Sequence, residues 1–316
     1  MEDSEEGKRT MVERLRAGVA GAGVFGGYHA NKYAEAEDVG LTGIFDLDLG
    51  RAMDRAAEHQ AQAFDDFDAF ISEVDILTIA TPATTHAPLA QAAINAGKHV
   101  LVEKPIAMDV ADADALISAA KDAGVVIQVG HQERYVADAF GLFDRDTPKV
   151  VTSRRLNKYS PRAGDVSVVL DLMIHDLDLL AELTGQDNAR VVSAEARRER
   201  SEHADYVDVT LAIGGIEARL MASRLEETPL RDLTLDYDDG TVTLDFLGRQ
   251  VTNTTGTPVA ADFSADTLPP SLKDPLAFGT QSFIAAVRRG AAPIVPGQAG
   301  RRALALALLV EDAIRD

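Results

Sequence analysis

Short continuous apolar runs alternate with Ala-rich stretches along the first 130 residues. Such runs are typical of strands buried on both faces, and their alternation with helices predicts a parallel, doubly wound sheet. The predicted strands are Leu15–Ala20, Val39–Phe45, Asp75–Ala80, His99–Val102 and Val125–Gly130. The predicted helices between them include Ala52–Gln60, Ala87–Ala96 and Ala111–Asp122.

After about residue 148 the pattern changes to alternating apolar and polar positions, as in Tyr206–Leu211, and Gly214-Gly215 is a suitable two-residue hairpin turn. This pattern predicts a mostly antiparallel sheet with one face packed on helices. The predicted strands are Lys149–Asn157, Arg190–Arg198, Asp205–Ile213, Glu217–Ser223, Arg231–Tyr237 and Thr241–Phe246. The predicted helices are 166–183, 276–289 and 298–314, and residues 252–275 are expected to form a long loop.

The net charge of −20 and the absence of cysteine argue against several classes of function. A strongly acidic chain is not expected to bind nucleic acid or an anionic membrane through a general electrostatic field. Without cysteine, disulfides, thiolate metal sites and cysteine nucleophiles are excluded, which agrees with a cytoplasmic location. Residues 1–12 are polar and acidic and are expected to form a disordered tail.

A glycine motif, Gly21-Ala22-Gly23-Val24-Phe25-Gly26, directly follows the first apolar run. Its glycines suit a tight strand-to-helix turn, close approach of a pyrophosphate, and close helix packing. Asp46 ends the second apolar run, where a carboxylate would bind an adenosine ribose and repel the 2′-phosphate of NADP. The motif therefore predicts a Rossmann domain over residues 13–134 that binds NAD, followed by an α+β domain over residues 135–316.

Two further groups follow predicted strands, where ligands bind in doubly wound sheets. Thr81-Pro82 comes after the third strand, with His86 beyond it as a cofactor contact or as a helix-start residue. Glu103-Lys104-Pro105 comes after the fourth strand. Lys104 would hold a substrate hydroxyl or relay a proton near the nicotinamide; the alternative is an exposed lysine at a strand end.

Asp171, His175 and Asp178 are spaced to form one narrow stripe on an otherwise apolar predicted helix. The stripe is expected to face a cleft, with His175 as a base oriented by a carboxylate. A solvated helix face and a metal site are the alternatives. No third ligand for a metal is evident nearby, so we expect no metal site here.

Together these segments resemble the Gfo/Idh/MocA family of NAD(P)-dependent oxidoreductases over about residues 14–316. The resemblance implies that Lys104 contacts nicotinamide and substrate, that His175 is the general base, and that Asp171 orients His175 or holds a neighbouring hydroxyl. It also implies that Glu103 belongs to the cofactor site. The motifs that carry it are Gly21–Ala30, Thr81–Ala90, Glu103–Pro105, Asp171–Asp178 and Pro293–Leu304.

Within the family, Val129–Tyr135 and Ser160–Leu180 are similar to a subgroup that acts on UDP-N-acetylhexosamines, some members of which oxidise the sugar 3-hydroxyl. That subgroup usually carries Glu-Arg-Phe-Asn-Pro, whereas this chain continues Arg134 with Tyr-Val-Ala. The resemblance implies substrate contacts by Arg134, with Tyr159 and Arg162 as candidates for uracil and diphosphate, although these two could also be ordinary loop residues.

The preferred function is thus NAD-dependent oxidation of a sugar-nucleotide hydroxyl to a ketone. Oxidation of a free polyol such as myo-inositol is the alternative enzyme, and a non-catalytic sensor of NAD(H) or a metabolite is the alternative from another class. An exposed apolar face of the second sheet would need a cover. The family resemblance implies that this face packs against another subunit, so we expect a homodimer or homotetramer assembled through this sheet.

Overall fold

The computed structural model describes residues 14–160 and 164–315, and its N-terminal half contains a six-stranded parallel sheet in the order β3-β2-β1-β4-β5-β6. The doubly wound sheet predicted from the apolar runs is confirmed. The three-residue strand β3 was not predicted. The strands are β1 Leu15–Ala20, β2 Val39–Phe45, β3 Gln62–Phe64, β4 Ile76–Ile79, β5 His99–Val102 and β6 Ile127–Val129.

Helices cover both faces of this sheet, and each face has its own apolar core. The helices α1, α2 and α9 pack on one face, whereas α4, α5 and α10 pack on the other. The helices of the first half are α1 Val24–Glu35, α2 Leu49–Ala57, α3 Phe67–Ser72, α4 His86–Asn95, α5 Val110–Ala123 and α6 Gln132–Ala139. Those of the second half are α7 Ile174–Thr184, α8 Pro270–Lys273, α9 Pro275–Arg289 and α10 Gly297–Ala313.

The second sheet has seven strands in the order β13-β12-β11-β7-β10-β9-β8, all antiparallel except the pair of β7 and β10. The predicted mostly antiparallel sheet is confirmed, and Gly214 and Gly215 form its hairpin turn with φ of +56° and +89°. The strands are β7 Val150–Leu156, β8 Arg190–Arg197, β9 Tyr206–Ile213, β10 Ile216–Ser223, β11 Leu230–Tyr237, β12 Gly240–Asp245 and β13 Gln250–Asn253.

Three sequence expectations need correction. The segment 252–275 is not one long loop, because β13 reaches Asn253 and α8 forms within it. The predicted helix 166–183 begins with a π-helical turn at Val169–Met173, which changes the spacing assumed for its polar stripe. The outer face of the second sheet is polar rather than apolar, since positions between the buried ones are residues such as Asp208, Thr210 and Arg219.

The register of the parallel sheet sets the position of the site. Ala20 pairs with Ile79, Ile79 with Val102, and Val102 with Val129, so these four strands end side by side. The residues that follow them therefore lie along one edge, where doubly wound sheets bind ligands. Helix α6 begins at this edge and spans the predicted domain boundary between residues 134 and 135.

Candidate active site

The glycine loop after β1 leaves room that only glycine provides. Gly21 has φ of +103°, and a Cβ there would lie 2.5 Å from the carbonyl oxygen of Ala80. A Cβ on Gly26 would lie 1.7 Å from the carbonyl oxygen of Gly21. A Cβ on Gly23 would instead meet nothing within 4 Å, so this glycine faces open space at the start of α1. The loop therefore fits a pyrophosphate at the helix N-terminus.

Asp46 lies beside this loop and accepts a hydrogen bond of 2.9 Å from the backbone N–H of Ala22. Its other carboxylate oxygen is 3.1 Å from the guanidinium of the exposed Arg51. Val24 and Phe25, the variable residues of the motif, are 41% and 52% exposed. The predicted loop residues and the ribose-binding carboxylate are thus brought together at the ends of β1 and β2.

Thr81 lies beside the glycine loop, since its backbone nitrogen would be 3.0 Å from a Cβ on Gly21; Pro82 follows it in the same turn, and His86 is buried. The ring nitrogens of His86 are 2.7 Å from the carbonyl oxygen of Pro105 and 2.9 Å from that of Thr81. Burial lowers the pKa of His86, and a neutral imidazole donates to one of these carbonyls at a time. His86 therefore ties the turn after β4 to the turn after β5, in place of the predicted cofactor contact.

Glu103 is buried at the same edge of the sheet, where it directly follows β5. Its carboxylate lies 2.8 Å from Nε2 of His29 on α1. A Cβ on Gly130, which follows β6, would lie 2.7 Å from this carboxylate, so glycine is needed there. Burial would raise the pKa of Glu103, but the hydrogen bond to His29 and the charge of Lys104 lower it. The predicted cofactor residue Glu103 thus anchors the loop that carries Lys104.

Lys104 and Asp171 come together across 67 residues of sequence. The ammonium group donates hydrogen bonds to the Asp171 carbonyl oxygen, at 2.5 Å, and to its carboxylate, at 3.0 Å. The carbonyl belongs to the π-helical turn that precedes α7, and turns of this kind are frequent at functional sites. An ammonium has three donors, so one N–H of Lys104 remains for another acceptor.

His175 is half-buried one residue into α7, and its Nδ1 atom has no hydrogen-bond partner among the described residues. No hydrogen bond joins it to Asp171 in this part of the chain, so the predicted orienting contact is not seen. Burial holds the pKa of His175 well below its usual range, and the positive charges of Lys104, Arg155 and Arg231 lower it further. The imidazole is therefore neutral near pH 7 and able to accept a proton.

Two of those positive charges belong to a network under the second sheet. Arg155 on β7 is buried and makes hydrogen bonds of 2.7 and 2.8 Å to the carboxylate of Asp176, the residue after His175. Glu133 lies 3.2 Å from both Arg155 and Arg231. This network fixes α7 against the sheet and brings cationic groups close to His175.

His131 was missed by the sequence reasoning, although its position at the end of β6 places it on the ligand edge. It is fully buried, and neither ring nitrogen has a partner among the described residues. Its ring centroid is 6.0 Å from that of His175, with the two rings nearly perpendicular at 87°.

Arg134 and Asp178 pair with each other rather than facing a cleft. The Arg134 guanidinium binds both oxygens of Asp178, at 3.0 and 2.5 Å, and also contacts Glu182. Both side chains are buried, and their ion pair connects α6 to α7. The predicted substrate contact of Arg134 would require this network to break, and Asp178 does not continue an exposed stripe.

Of the two predicted nucleotide contacts, Tyr159 is half-buried beyond the end of β7 and donates a hydrogen bond of 3.4 Å to the carbonyl oxygen of Arg200. Arg162 lies outside the described residues. Within the described ranges, no group of three or more His, Asp or Glu side chains is arranged to hold a metal ion. Nor does any helix of these ranges have the length and apolarity needed to cross a membrane.

The doubly wound sheet, with the glycine loop after β1 and a carboxylate after β2, is the architecture of NAD-dependent oxidoreductases. The model of an oxidoreductase family with an NAD-binding Rossmann fold, Gfo/Idh/MocA, matches residues 15–131. The chain is also 36% identical to UDP-N-acetylglucosamine 3-dehydrogenase of Acidithiobacillus ferrooxidans, over 95% of this chain and 97% of that protein. The chain belongs to the Gfo/Idh/MocA family.

Solved structures extend this comparison to the whole fold. The structure of the Acidithiobacillus ferrooxidans enzyme superimposes with a TM-score of 0.84 at 35% identity, covering 96% of this chain and 98% of that one. The WlbA dehydrogenase of Bordetella pertussis, in complex with NADH and UDP-GlcNAcA, superimposes with a TM-score of 0.83 over 96% of each chain, at 21% identity. Inositol 2-dehydrogenase of Rubrobacter xylanophilus is 33% identical, but over only 52% of this chain and 51% of that protein.

Proposed function

We propose that this enzyme oxidises a secondary hydroxyl of a sugar nucleotide to a ketone, with the 3-hydroxyl of UDP-N-acetylglucosamine as its substrate. The observation that carries the proposal is the contact of Lys104 with Asp171 at the ligand edge of the sheet, with His175 near enough for the charge of Lys104 to lower its pKa. The similarity to the Acidithiobacillus ferrooxidans enzyme over almost the full length supports the substrate.

The chain's own residues suit the proton half of this reaction. When NAD is bound at the glycine loop and Asp46, it supplies the acceptor for the hydride. His175 is neutral and accepts the hydroxyl proton. The free N–H of Lys104 donates to the same hydroxyl and stabilises the negative charge that develops as the proton leaves. Asp171 holds Lys104 in place through two acceptors.

The nucleotide half of the substrate is assigned to the segment after β7. Tyr159 and Arg162 are the proposed contacts for uracil and diphosphate, because a guanidinium fork suits a diphosphate. The departure from the subgroup motif after Arg134 alters helix packing, since Tyr135, Val136 and Ala137 are buried in α6. The departure does not change Lys104, Asp171 or His175, so the residues of the proposed proton chemistry are all present.

The experiment compares NADH formation with UDP-N-acetylglucosamine, UDP-glucose and myo-inositol, with a trap for the ketone because alcohol oxidation by NAD is uphill. We expect turnover with the UDP-N-acetyl sugar only. Lys104→Ala and His175→Ala are expected to lose most turnover while keeping NAD binding. Turnover with myo-inositol alone would leave the roles of Lys104 and His175 standing but refute the sugar-nucleotide substrate. That outcome would agree instead with the similarity to inositol 2-dehydrogenase. Tight NAD binding without turnover would favour a sensor.

The remaining proposals concern organisation. We propose that residues 13–134 and 135–316 act as the cofactor and substrate domains, and that the enzyme works in the cytoplasm, where NAD is available. A homodimer or homotetramer through the second sheet is also proposed, on the family resemblance. Light scattering tests this directly, since a monomer has a mass of 33.8 kDa. A monomer at micromolar concentration would refute it.

A further inference from the structure

A general base needs a partner on its second ring nitrogen, because that partner selects the tautomer and orients the ring. Asp171, the expected partner of His175, is instead bound to Lys104 through both its carboxylate and its carbonyl. The Nδ1 atom of His175 is buried and without a hydrogen bond in the described part of the chain. The orienting partner of this base must therefore come from another residue.

His131 is the neighbouring group with free hydrogen-bonding capacity. Both of its ring nitrogens are buried and unpartnered among the described residues, and its ring lies edge-to-face with that of His175 at 6.0 Å. Leaving a buried polar group without a partner is unfavourable, so such a group is expected to find one. Because His131 is 0% exposed, it is not placed to meet a substrate itself and would act through His175.

We propose that His131 is a positioning residue for the base: one of its ring nitrogens accepts a hydrogen bond from Nδ1–H of His175 when His175 is protonated. This inference rests on the proposed role of His175. The hydroxyl proton of the substrate goes to Nε2 of His175, and the proton already on Nδ1 is then shared with His131. The rings are too far apart for this bond in the neutral pair, and catalytic hydrogen bonds often tighten only when charge develops.

The electrostatic surroundings fit an acceptor role for His131. Burial lowers the pKa of His131, as do the charges of Arg134 and Lys104, whereas Asp178 and Glu103 raise it. The net effect keeps His131 neutral near pH 7, which leaves one ring nitrogen free to accept a hydrogen bond. Around His175, by contrast, the charges of Lys104, Arg155 and Arg231 all lower the pKa, and a protonated His131 would lower it as well.

The test is His131→Phe, which keeps an aromatic ring against His175 but removes both nitrogens, with His131→Gln as the conservative variant that restores an acceptor. The first readout is the pH dependence of diethyl pyrocarbonate modification at His175, measured by mass spectrometry of the purified protein. This readout needs no substrate. We expect the midpoint to move to lower pH in the Phe variant, because the protonated form has lost its acceptor, and to return towards wild type in the Gln variant.

An unchanged midpoint would overturn the proposal, and so would a shift to higher pH, which marks His131 as only a positive neighbour. His59→Phe is the matched control, because Nε2 of His59 is also buried without a partner among the described residues. His59 lies between α2 and β3, and β3 is the outermost strand on the side of the sheet away from β6. No change at His175 is expected in this control. If His131→Phe lacks the wild-type thermal transition, His131→Met carries the same test.

The second readout is kcat with UDP-N-acetylglucosamine. We expect a loss of about 10- to 100-fold in His131→Phe with little change in KM, and partial recovery in His131→Gln. Equal kcat in the Phe variant and wild type would overturn the proposal. Wild-type protein that does not oxidise this sugar nucleotide would refute the proposed function, and the modification experiment would still decide the role of His131.

Discussion

Replacing Lys104 with Met removes the ammonium while keeping an unbranched side chain of similar length. Two of the three donors of Lys104 are used on Asp171, one at 2.5 Å and one at 3.0 Å, so the third is the one left for the substrate. Because this donor acts on charge that develops in the transition state, its loss should reduce kcat by about 10²–10³-fold, or about 3–4 kcal/mol. Binding of NAD should be little affected.

Asp171→Asn provides a graded comparison. The substitution removes the negative charge, but the backbone carbonyl of residue 171 remains as an acceptor for Lys104. The hydrogen bond from the ammonium to a carboxylate then becomes one to an uncharged amide oxygen, which costs about 1 kcal/mol, or roughly tenfold or less in kcat. The expected order of activity is therefore wild type, then Asp171→Asn, then Lys104→Met.

Both variants should fold, since the lysine and aspartate side chains are 15% and 28% exposed and a partly exposed ion pair contributes about 1 kcal/mol or less. The assay is single-turnover formation of NADH at saturating NAD, with NAD affinity and the thermal transition measured in parallel. Activity of Lys104→Met within about threefold of wild type would refute the role of the ammonium. An Asp171→Asn variant as inactive as Lys104→Met would refute the argument from the backbone carbonyl.

Three further predictions address the base, the glycine loop and a buried carboxylate. Since burial and positive neighbours lower the pKa of His175, kcat/KM should hold well below pH 6.5 and fall only in more acidic buffer; a midpoint at or above 6.5 would contradict this. Gly26→Ala should destabilise the protein without ligand, because its Cβ would overlap the Gly21 carbonyl oxygen. Gly23→Ala should keep the wild-type thermal transition but lose NAD affinity, measured by titration, and equal thermal transitions of the two variants would contradict this. Burial opposes ionisation of Asp205, but backbone N–H groups and an arginine lower its pKa to about 2, so its stabilising effect is present above about pH 4 and is lost as pH falls through 2. Asp205→Asn should thus cost about 2–3 kcal/mol by urea unfolding at neutral pH and less in acid, and an equal cost at both would contradict this.

Five of the six strands of the first sheet were predictable because they are largely apolar runs bounded by turn-forming or polar residues. Leu15–Ala20, Val39–Phe45 and His99–Val102 agree with the structure residue for residue. The elements that were missed include β3 and α8, of three and four residues, and the helices α3 and α6, of six and eight. Short elements have little intrinsic stability and form because the surrounding fold holds them, so local sequence carries a weak signal for them.

The site was predictable to the extent that its residues follow strands at the ligand edge. The meeting of Lys104 with Asp171 was expected only through the family resemblance, and the contact to a backbone carbonyl has no signature in sequence. His131 was visible as a polar residue two positions after β6, but its burial was not. Arginine is a residue type that often binds anions, and only the fold shows that the guanidinium of Arg134 is bound to the carboxylate of Asp178.

The neutral state of the base arises first from burial and then from nearby cations that belong to charged pairs, rather than from an excess of positive charge in the chain. The chain carries a net charge of −20, yet each cation that lowers the pKa of His175 has a carboxylate partner: Asp171 for Lys104, and Asp176 and Glu133 for the two arginines. In each pair the cation still acts to keep the imidazole neutral, because electrostatic effects at short range depend on distance and burial more than on total charge. The overall acidity of a chain is therefore a poor guide to the potential at its reactive centre, and paired charges allow a neutral base to be built into an acidic protein.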